Sequence, residues 1–516
     1  AEDPEYQDLF TTTMPDTGER VSRYFVTPEN TEDLLKRREM IETSTREGSG
    51  VVLLIKEIGT DALFAMTLNA RRVDEKYGTN YLERIQNYHA ECRSRDLSLA
   101  VAQTDTKGDR SLLPSQQAHP DYYVRIVERR PDGIVVRGAK AHTTGTAFVD
   151  DVIVLPTRAI SEEDSDYAVA FSIPVNTPGV KLIASPFGFT GESEYHHPVS
   201  GRHHLVETLT IFDDVFIPNE RVFLAGEWDF AGPLANGFVE FHRYTAVSYK
   251  PPLLDLFIGA AALIAVYNGV EKVSHIREKA TRLITYTETV RALTRAAAMD
   301  CQVVDGIAVP NTMTTNIAKY HFAAHYHEAV REVQDIAGAL LVTGPAEADW
   351  NNPDTREMLD YYLGGRKGVP TMDRMKAINL IRDLTASDFG GYHELLAIHA
   401  EGSIEAQKIT IFRGYDIGRC MDLAKAARAL DGQDNGPWQR ALPAIITYEA
   451  LSQALPHIGE LSVRERGYAL DQAAVLLEAR RSDMDDAFDE LPPVVAEADA
   501  AVVATIAETR RSFAWT

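Results

Sequence analysis

Residues 122–144 read YYVRIVERRPDGIVVRGAKAHTT, and this stretch decides the fold class. It holds two runs in which apolar and polar residues alternate, separated by Pro131, Asp132 and Gly133. Proline presets a turn angle and glycine tolerates positive φ, so the stretch predicts a β-hairpin. Four more short β-rich runs follow, at 152–160, 167–175, 180–185 and 205–218. Strands at this close spacing predict a sheet sandwich or small barrel rather than a doubly wound parallel sheet.

Helical patterns flank this β-rich block on both sides. Before it, apolar residues recur every three or four positions over 31–48, 63–70 and 81–92. Thr31 or Thr27 is expected to cap the first helix, which Gly48 ends. After it, the same periodicity covers 257–293, 312–341, 373–387 and 404–430. The predicted fold is therefore α+β, with an N-terminal helical domain (1–100), a central β domain (101–225), a C-terminal helical bundle (226–430) and a helical extension (431–516).

The composition is that of a soluble globular protein, with 45% hydrophobic and 25% charged residues among 516. Lys and Arg number 52 against 76 Asp and Glu, and this net charge of −24 disfavours binding to nucleic-acid phosphates. Cys92, Cys301 and Cys420 are too scattered for a disulfide framework or a CxxC metal site. The longest nearly apolar stretch, 257–267, is shorter than the ~20 residues of a membrane-spanning helix. With no secretory signal visible, these features predict a cytoplasmic protein without membrane or nucleic-acid partners.

Common catalytic motifs are missing from the sequence. It has no GxGxxG after a strand, no GxxxxGK[ST], no HExxH and no GxSxG, so the usual nicotinamide, nucleotide-hydrolase, zinc-protease and serine-esterase assignments lose their main support. His321 and His325 are four residues apart on a predicted helix, which is a possible metal pair without a specified third ligand. A structural or surface role is favoured for them, and no metal site is predicted.

Three polar segments and two longer stretches carry a family resemblance. The segments are 103–110 (QTDTKGDR), 137–146 (RGAKAHTTGT) and 388–394 (DFGGYHE), and the longer stretches are 212–223 (FDDVFIPNERVF) and 258–275 (IGAAALIAVYNGVEKVSH). In this order they resemble the flavoprotein family of 4-hydroxyphenylacetate 3-hydroxylases and 4-hydroxybutyryl-CoA dehydratases, over about residues 20–430. The resemblance implies an acyl-CoA-dehydrogenase-like architecture, FAD as the cofactor and a homo-oligomer, a tetramer or dimer.

The same resemblance assigns the flavin-binding residues. Threonine hydroxyls and a histidine suit the pyrimidine edge of an isoalloxazine, while an arginine and closely approaching glycines suit its diphosphate. Read in isolation, KGDR is also typical of a charged surface turn, and FGG of a helix C-cap. The expected FAD-binding residues are Gln103, Thr104, Asp109, Arg110, His142, Thr143, Thr144, Gly145, Thr146, Gly390 and Gly391.

Two branches of the family differ in their active-site residues. The dehydratases hold an iron–sulfur cluster on three cysteines and one histidine, and the matching positions here are Leu53, Glu57, Asn311 and Ala318. None is a cysteine or histidine, so no cluster is expected. The hydroxylases orient and deprotonate a phenol with an arginine, a tyrosine and a histidine, and the matching positions here are Ile58, Ala62 and Val101. Ordinary 4-hydroxyphenylacetate hydroxylation is therefore in doubt.

The main hypothesis is a two-component monooxygenase that hydroxylates a small aromatic or related substrate through a flavin C4a-hydroperoxide, with FADH2 from a separate reductase and with O2. A loop at 195–204 resembles the hydroxylases' substrate-covering loop, so Tyr195, His196, His197 and Arg202 are the expected catalytic residues, with His203 and His204 as further candidates. The alternative is a cluster-free isomerase or hydro-lyase acting on a carbonyl or acyl-thioester substrate. Its candidate acid–base groups are Glu57, Lys319, His321 and Glu394. A binding protein that has lost catalysis is the third hypothesis.

Overall fold

Three long helices dominate the N-terminal part of the structure, a computed structural model that describes residues 4–15, 17–52, 56–185, 193–203 and 206–427. Asn30, rather than Thr31 or Thr27, caps the first long helix, because its side chain accepts a hydrogen bond from the Asp33 N–H. Gly48 follows the end of that helix, as predicted. The elements here are α1 (Gln7–Phe10), β1 (Thr11–Thr13), β2 (Arg20–Ser22), α2 (Thr31–Glu47), α3 (Glu57–Tyr77) and α4 (Tyr81–Arg95).

Two four-stranded sheets form the central block. The strands are β3 (Leu99–Ala102), β4 (Arg125–Arg130), β5 (Gly133–Thr144), β6 (Asp151–Val154), β7 (Val169–Pro174), β8 (Val180–Ala184), β9 (Glu207–Pro218) and β10 (Val222–Ala225). One sheet has the order β10-β7-β6-β3 and the other β4-β5-β9-β8. Phe171 and Phe212 come from different sheets and meet edge to face, with ring centroids 5.6 Å apart. The block is therefore a sandwich, and the predicted hairpin is the β4–β5 pair.

A helical bundle follows the sandwich. Its elements are α5 (Ala231–Asn268), α6 (Ser274–Met299), β11 (Gln302–Val304), β12 (Ile307–Val309), α7 (Thr312–Ala337), α8 (Leu340–Thr343), α9 (Glu347–Asn351), α10 (Pro353–Tyr362), α11 (Thr371–Thr385), α12 (Asp388–His399) and α13 (Ile404–Gly414). The run predicted over 257–293 is in fact two helices, because Gly269 ends α5 in the left-handed conformation with φ 71°. The predicted α+β order of helices, sandwich and helices is thereby confirmed.

The chain divides into two compact units, residues 1–414 and 415–516. Of the second unit the structure describes 415–427, which include α14 (Ile417–Ala427). The predicted helical extension at 431–516 lies outside the described residues. The domain boundaries at 100, 225 and 430 stay predictions.

Helix α5 crosses the middle of the bundle and packs against α2, α3, α6, α7 and α11. It contains Pro251 and Pro252, and a proline within a helix leaves a carbonyl one turn earlier without its N–H donor. The Thr294 hydroxyl donates to the Val247 carbonyl at 3.1 Å, which satisfies the group that Pro251 leaves free. The segment Trp228–Asn268 is long and apolar enough to cross a membrane by length and composition. Half of its most apolar window is buried inside the described part of the protein.

Two apolar cores hold these layers together. One lies between α3, α4 and the sandwich and includes Phe64, Tyr88 and Phe171. The other lies among α5, α6, α7 and α11 and includes Phe257 and Phe322. Helix α5 contributes to both cores, so its polar residues are carried to the boundary between sandwich and bundle.

Candidate active site

A cavity of about 1110 Å³ lies where the sandwich meets α3, α5 and α12. This volume is at the upper end of the ~300–1,000 Å³ typical of small-molecule sites. Helix α5 presents Phe238, His242, Tyr249 and Leu253 to the cavity, a spacing of four and seven residues that places them on one helix face. The titratable residues of the wall come from several elements and are Lys107, His142, Arg158, Glu207, His242, Tyr249, Lys250, Asp388, Tyr392, His393, His399 and Glu401.

Glu401 and two lysines form a buried charged cluster on this wall. Glu401 follows α12, and its carboxylate lies 3.3 Å from Lys250 Nζ and 3.1 Å from Lys319 Nζ. All three side chains are at most 1% exposed. The Tyr249 hydroxyl donates to the same carboxylate. The carboxylate therefore accepts hydrogen bonds from Tyr249 and Lys250 and forms a further ion pair with Lys319, whose ammonium donates to two backbone carbonyls.

Burial and pairing act in opposite directions on these groups. Burial lowers the pKa of Lys250 to about 7, although Glu401 opposes the shift. Burial also lowers the pKa of Lys319. Burial disfavours ionisation of Glu401 as well, but the two ammonium groups prevail and lower its pKa to about 2. Glu401 is thus a fixed anion, whereas Lys250 can exchange a proton near neutral pH.

A second carboxylate, Glu207, stands at the start of β9. It accepts hydrogen bonds from the Thr144 hydroxyl at 2.8 Å and the Tyr392 hydroxyl at 3.2 Å. Burial raises its pKa, against the effect of these hydrogen bonds. The β5–β9 register shifts between Lys140 and Thr143, and His142 in this bulge has a φ of 58°. The bulge brings both His142 and Thr144 to the cavity wall.

Lys140 joins two of the segments that carry the family resemblance. This buried lysine of β5 contacts the Asp105 carboxylate at 2.8 Å and donates to the Gln103 carbonyl at 2.9 Å. The segment after β3 is thereby tied to β5, which explains how Gln103, Thr104, His142 and Thr144 reach one cavity. Gly391 of α12 lines the same cavity, and a Cβ there would meet nothing within 4 Å.

Other residues expected to bind FAD point elsewhere. The side chain of Thr143 lies on the opposite face of β5 from those of its neighbours along the strand. Its buried hydroxyl is hydrogen-bonded to the hydroxyls of Thr208 and Thr210. Asp109 bonds to Ser111 in its own turn. Four more of these residues also lie outside the cavity lining: Arg110 is exposed, Gly145 forms a left-handed turn, the Thr146 hydroxyl donates to the Thr143 carbonyl, and Gly390 packs on the backbone of Leu384 and Thr385.

Lys107 and Arg158 were missed by sequence reasoning. Both line the cavity, and neither forms an ion pair within the described residues. Burial lowers the pKa of Lys107, and repulsion from Arg110 and Arg158 adds to the shift. Cations gathered in a half-buried site favour a bound anion, and a diphosphate supplies one. With these cations, the polar edge of the sandwich and the open space at Gly391, the residues present fit FAD.

The residues expected to be catalytic do not line this cavity. Tyr195 is buried in the core of the bundle, and His196 Nε2 accepts from the Glu347 N–H of α9 at 3.0 Å. His197 Nδ1 lies 3.6 Å from Asp383 of α11, and Arg202 pairs with an exposed Glu194. These contacts fasten residues 193–203 to α9 and α11, away from the cavity. His203 is likewise outside the lining, and His204 lies outside the described residues.

The acid–base candidates of the alternative hypothesis also lie outside the lining, although Lys319 borders it through Glu401. Glu394 pairs with His327, while the ring of His321 meets Tyr286 edge to face and lies tilted against His325. Glu57 is buried beside α2, where its backbone carbonyl accepts from Arg37. Within the ranges that the structure covers, no group of three or more His, Cys, Asp or Glu is placed to hold a metal ion.

The positions matched to the two family branches have a clear chemical character. Ile58 and Val101 line the cavity and Ala62 is buried, so the wall is apolar where a phenol-activating trio was expected. Asn311 caps α7 and Ala318 is buried in the bundle, so neither lines the cavity. The cavity lining contains none of the three cysteines, all of which are described. The donor set therefore does not fit an iron–sulfur cluster, which requires thiolates.

Comparison with known proteins gives relatives over most of the chain. Models of the N-terminal and C-terminal parts of 4-hydroxyphenylacetate 3-hydroxylase match residues 1–224 and 231–428. The chain is 34% identical to 4-hydroxybutyryl-CoA dehydratase/vinylacetyl-CoA-Delta-isomerase of Clostridium aminobutyricum, over 83% of this chain and 89% of that protein. It is 29% identical to the oxygenase component of 4-hydroxyphenylacetate 3-monooxygenase of Thermus thermophilus, over 76% of this chain and 80% of that protein.

Solved structures lead to the same family. A crystal structure of a 4-hydroxyphenylacetate 3-monooxygenase oxygenase component complexed with FAD superposes with a TM-score of 0.76. The sequences are 27% identical, and the match covers 82% of this chain and 88% of that one. The relatives are thus enzymes of two kinds, monooxygenases and a dehydratase. The resemblance carried by the five segments is confirmed, and the chain belongs to the 4-hydroxyphenylacetate 3-hydroxylase family.

Proposed function

We propose that this chain is an FAD-dependent isomerase or hydro-lyase that moves protons on an acyl-thioester or similar carbonyl substrate without an iron–sulfur cluster. The observation that carries the proposal is the cluster of Lys250, Glu401 and Lys319 beside a cavity whose phenol-activating positions are apolar. Its general class is supported by the 34% identity to a dehydratase and Delta-isomerase.

Lys250 suits proton transfer from carbon. A carbonyl or thioester acidifies the neighbouring C–H, and a base works best when its pKa lies near the working pH. With its pKa near 7, Lys250 is present both as amine and as ammonium at neutral pH. The amine accepts the substrate proton, and the resulting ammonium is held by Glu401 at 3.3 Å. The same ammonium then returns a proton to the substrate.

FAD would be held by Gln103, Thr104, His142 and Thr144 along its ring and by Lys107 and Arg158 at its diphosphate, and when bound it supplies redox-active ring chemistry. The apolar residues Val52, Ile58 and Val101 keep water from the adjoining part of the cavity. A dry wall strengthens the electrostatic effect of Glu401 on Lys250, because the charges are screened less.

The second candidate is the two-component monooxygenase, which hydroxylates a small aromatic substrate with FADH2 from a separate reductase and with O2. Its support is the 29% identity to a 4-hydroxyphenylacetate 3-monooxygenase oxygenase component, together with the structural match to such a component with FAD. In this case Lys250 would deprotonate the phenol in place of the missing trio. The homotetramer, the reductase partner and the cytoplasmic location stay predictions.

One experiment separates the two candidates. The FAD-loaded protein is incubated in D2O under strict anaerobiosis and without reductant, with vinylacetyl-CoA and other short acyl-CoA thioesters, and deuterium uptake is followed by mass spectrometry. We expect deuterium incorporation that falls at least 100-fold in Lys250→Met, since general acid–base catalysis contributes about 10²–10⁴-fold. Lys408→Met, which removes an exposed lysine paired with Glu405, is the matched control.

A parallel reaction supplies FADH2 from a reductase, O2 and a panel of phenols. Oxygenated products together with no anaerobic deuterium uptake would replace the first candidate by the second. Saturable FAD binding with neither activity would reject both candidates for the substrates tried.

A further inference from the structure

A second titratable group borders the cavity on helix α5, two turns before Lys250. His242 lines the cavity while only 8% exposed, and its ring stacks on Phe238 with centroids 5.1 Å apart and planes inclined by 14°. Its Nδ1 lies 3.5 Å from Asp61 Oδ2 of α3. Both atoms are buried, and neither has a hydrogen-bond partner among the described residues. The ring therefore lies beside a carboxylate oxygen that no other group satisfies, and it also lines the cavity.

Hydrogen bonds to its other oxygen fix the Asp61 carboxylate beside the imidazole of His242. Its other oxygen, Oδ1, accepts from Arg37 Nη2 at 2.7 Å and from the Thr245 hydroxyl at 3.0 Å. Arg37 is itself anchored on the Glu57 carbonyl and the Thr60 hydroxyl. Asp61 is thus fixed in position with Oδ2 directed at His242. A carboxylate at one imidazole nitrogen sets the tautomer and makes the other nitrogen a better proton acceptor.

We propose that His242 is a second proton-transfer residue of the cavity and that Asp61 is its positioning residue. This inference rests on the proposed function for its reaction, but the coupling between the two residues does not. The Nε2 nitrogen takes a proton from a substrate C–H, and the electron pair of that bond stays on the substrate as an enolate. A proton returns to another carbon from Lys250 or from the imidazolium, so that nothing is oxidised or reduced.

The charges around His242 fit this role. Asp61 faces it from α3 with Arg37 behind, and Glu401 faces it from the segment after α12, since His242 helps to lower the pKa of Glu401. Glu401 also contacts Lys250, so the two proton-transfer residues share one anion.

The test measures the protonation of His242 directly. The full-length protein, with and without FAD, is treated with diethylpyrocarbonate across a pH series, and peptide mass spectrometry follows each histidine. This reagent modifies neutral imidazole, so the rate of modification reports the pKa. Asp61→Asn is expected to lower the midpoint for His242 by about one unit or more, because an opposite charge within ~4–6 Å shifts a pKa by 1–3 units. Asp61→Glu is expected to restore part of the shift.

His275, an exposed histidine of α6, is the internal control, and its midpoint is expected to stay unchanged in every variant. An unchanged His242 midpoint in Asp61→Asn would overturn the positioning role. Because Asp61 also balances the buried Arg37, this variant can fail to fold. His242→Gln then decides the matter: anaerobic deuterium uptake is expected to fall at least 100-fold while the dissociation constant of FAD changes less than threefold.

The outcomes separate this inference from the proposed function. Full deuterium uptake in His242→Gln rejects the catalytic role and leaves the proposed function intact. A shifted His242 midpoint in a protein that turns over no acyl-thioester supports the positioning of His242 by Asp61 and rejects the proposed reaction. Loss in His242→Gln with turnover in the wild-type protein supports both.

Discussion

Replacing Glu401 by glutamine tests most directly whether its carboxylate stabilises the buried cluster with Lys250 and Lys319. In Glu401→Gln, Lys250 and Lys319 lose the anion that lies 3.3 and 3.1 Å from their ammonium groups. In the folded protein the pKa of Glu401 is about 2, against an ordinary value of 4.5. The difference is about 2.5 units, or about 3 kcal/mol at ~1.4 kcal/mol per unit. The free energy of unfolding is therefore expected to fall by about 3 kcal/mol at pH 6.

The pH dependence of this loss follows from the same shifts. A carboxylate with a lowered pKa stabilises the fold above its ordinary value of 4.5, and that contribution is lost as the pH falls through about 2. The deficit of Glu401→Gln should therefore be complete at pH 5–7. Above pH 7, Lys250 loses its proton in the folded protein and needs the anion less. The deficit is expected to shrink between pH 7 and pH 9.

The assay is urea unfolding followed by circular dichroism at pH 6 and pH 9. The matched control is Glu405→Gln, four residues further on, where the side chain is 72% exposed and pairs with Lys408. Exposed ion pairs contribute at most about 1 kcal/mol, so the control should lie within about 0.5 kcal/mol of the wild type. Equal losses in the two variants, or a Glu401→Gln deficit that grows at pH 9, would refute the reasoning.

Three further changes have definite expected outcomes. Lys250→Met should abolish anaerobic deuterium uptake and lower the midpoint of thermal unfolding, because removing one partner of a buried ion pair leaves the charge of Glu401 balanced by Lys319 alone. In Glu207→Gln, the free energy of unfolding should increase relative to that of the wild type as the pH rises from 4 to 8. Burial raises the pKa of Glu207, so the wild type loses stability over that range and the variant does not. Urea unfolding midpoints measure the difference. Gly390→Ala would place a Cβ 2.8 Å from the Thr385 backbone nitrogen and should lower the free energy of unfolding by about 1–3 kcal/mol. In Gly391→Ala the added Cβ meets nothing within 4 Å, so this variant should alter the FAD titration rather than the midpoint of thermal unfolding.

Local chemistry made much of the fold predictable. The turn at Pro131–Gly133 and the alternating runs around it define β4 and β5 without help from the rest of the chain. The segment at 388–394 was harder, because its glycines suggested a loop or a helix end. In the structure Ser387 caps α12, with its hydroxyl accepting from the Gly390 N–H, and Gly390 lies in the first turn. The serine three residues before the glycine is the cap signal that could have shown this.

The candidate site was less predictable, since its groups meet through tertiary contacts. Lys250 and Glu401 are 151 residues apart, and no local pattern links them. One signal was present: Lys250 stands within a long apolar helix, where a charged residue is rarely buried without a partner. The described residues of the loop with Tyr195 and His196 do not line the cavity, and the catalytic role expected for them stays a prediction. Its polar residues instead bind Glu347 and Asp383, which are distant in the chain.

The balance between burial and charge pairing in the cluster of Lys250, Glu401 and Lys319 is informative about its role. Burial lowers the pKa of Lys250 to about 7 even though the Glu401 carboxylate lies 3.3 Å away, so the desolvation of the ammonium outweighs its attraction to the carboxylate. Replacing such a buried ion pair by apolar residues is often neutral or stabilising. The cluster stands on the wall of a cavity that is apolar at Ile58 and Val101. Strongly shifted groups of this kind are typical of catalytic sites, and the shift at Lys250 therefore supports the proposed role of this lysine in proton transfer.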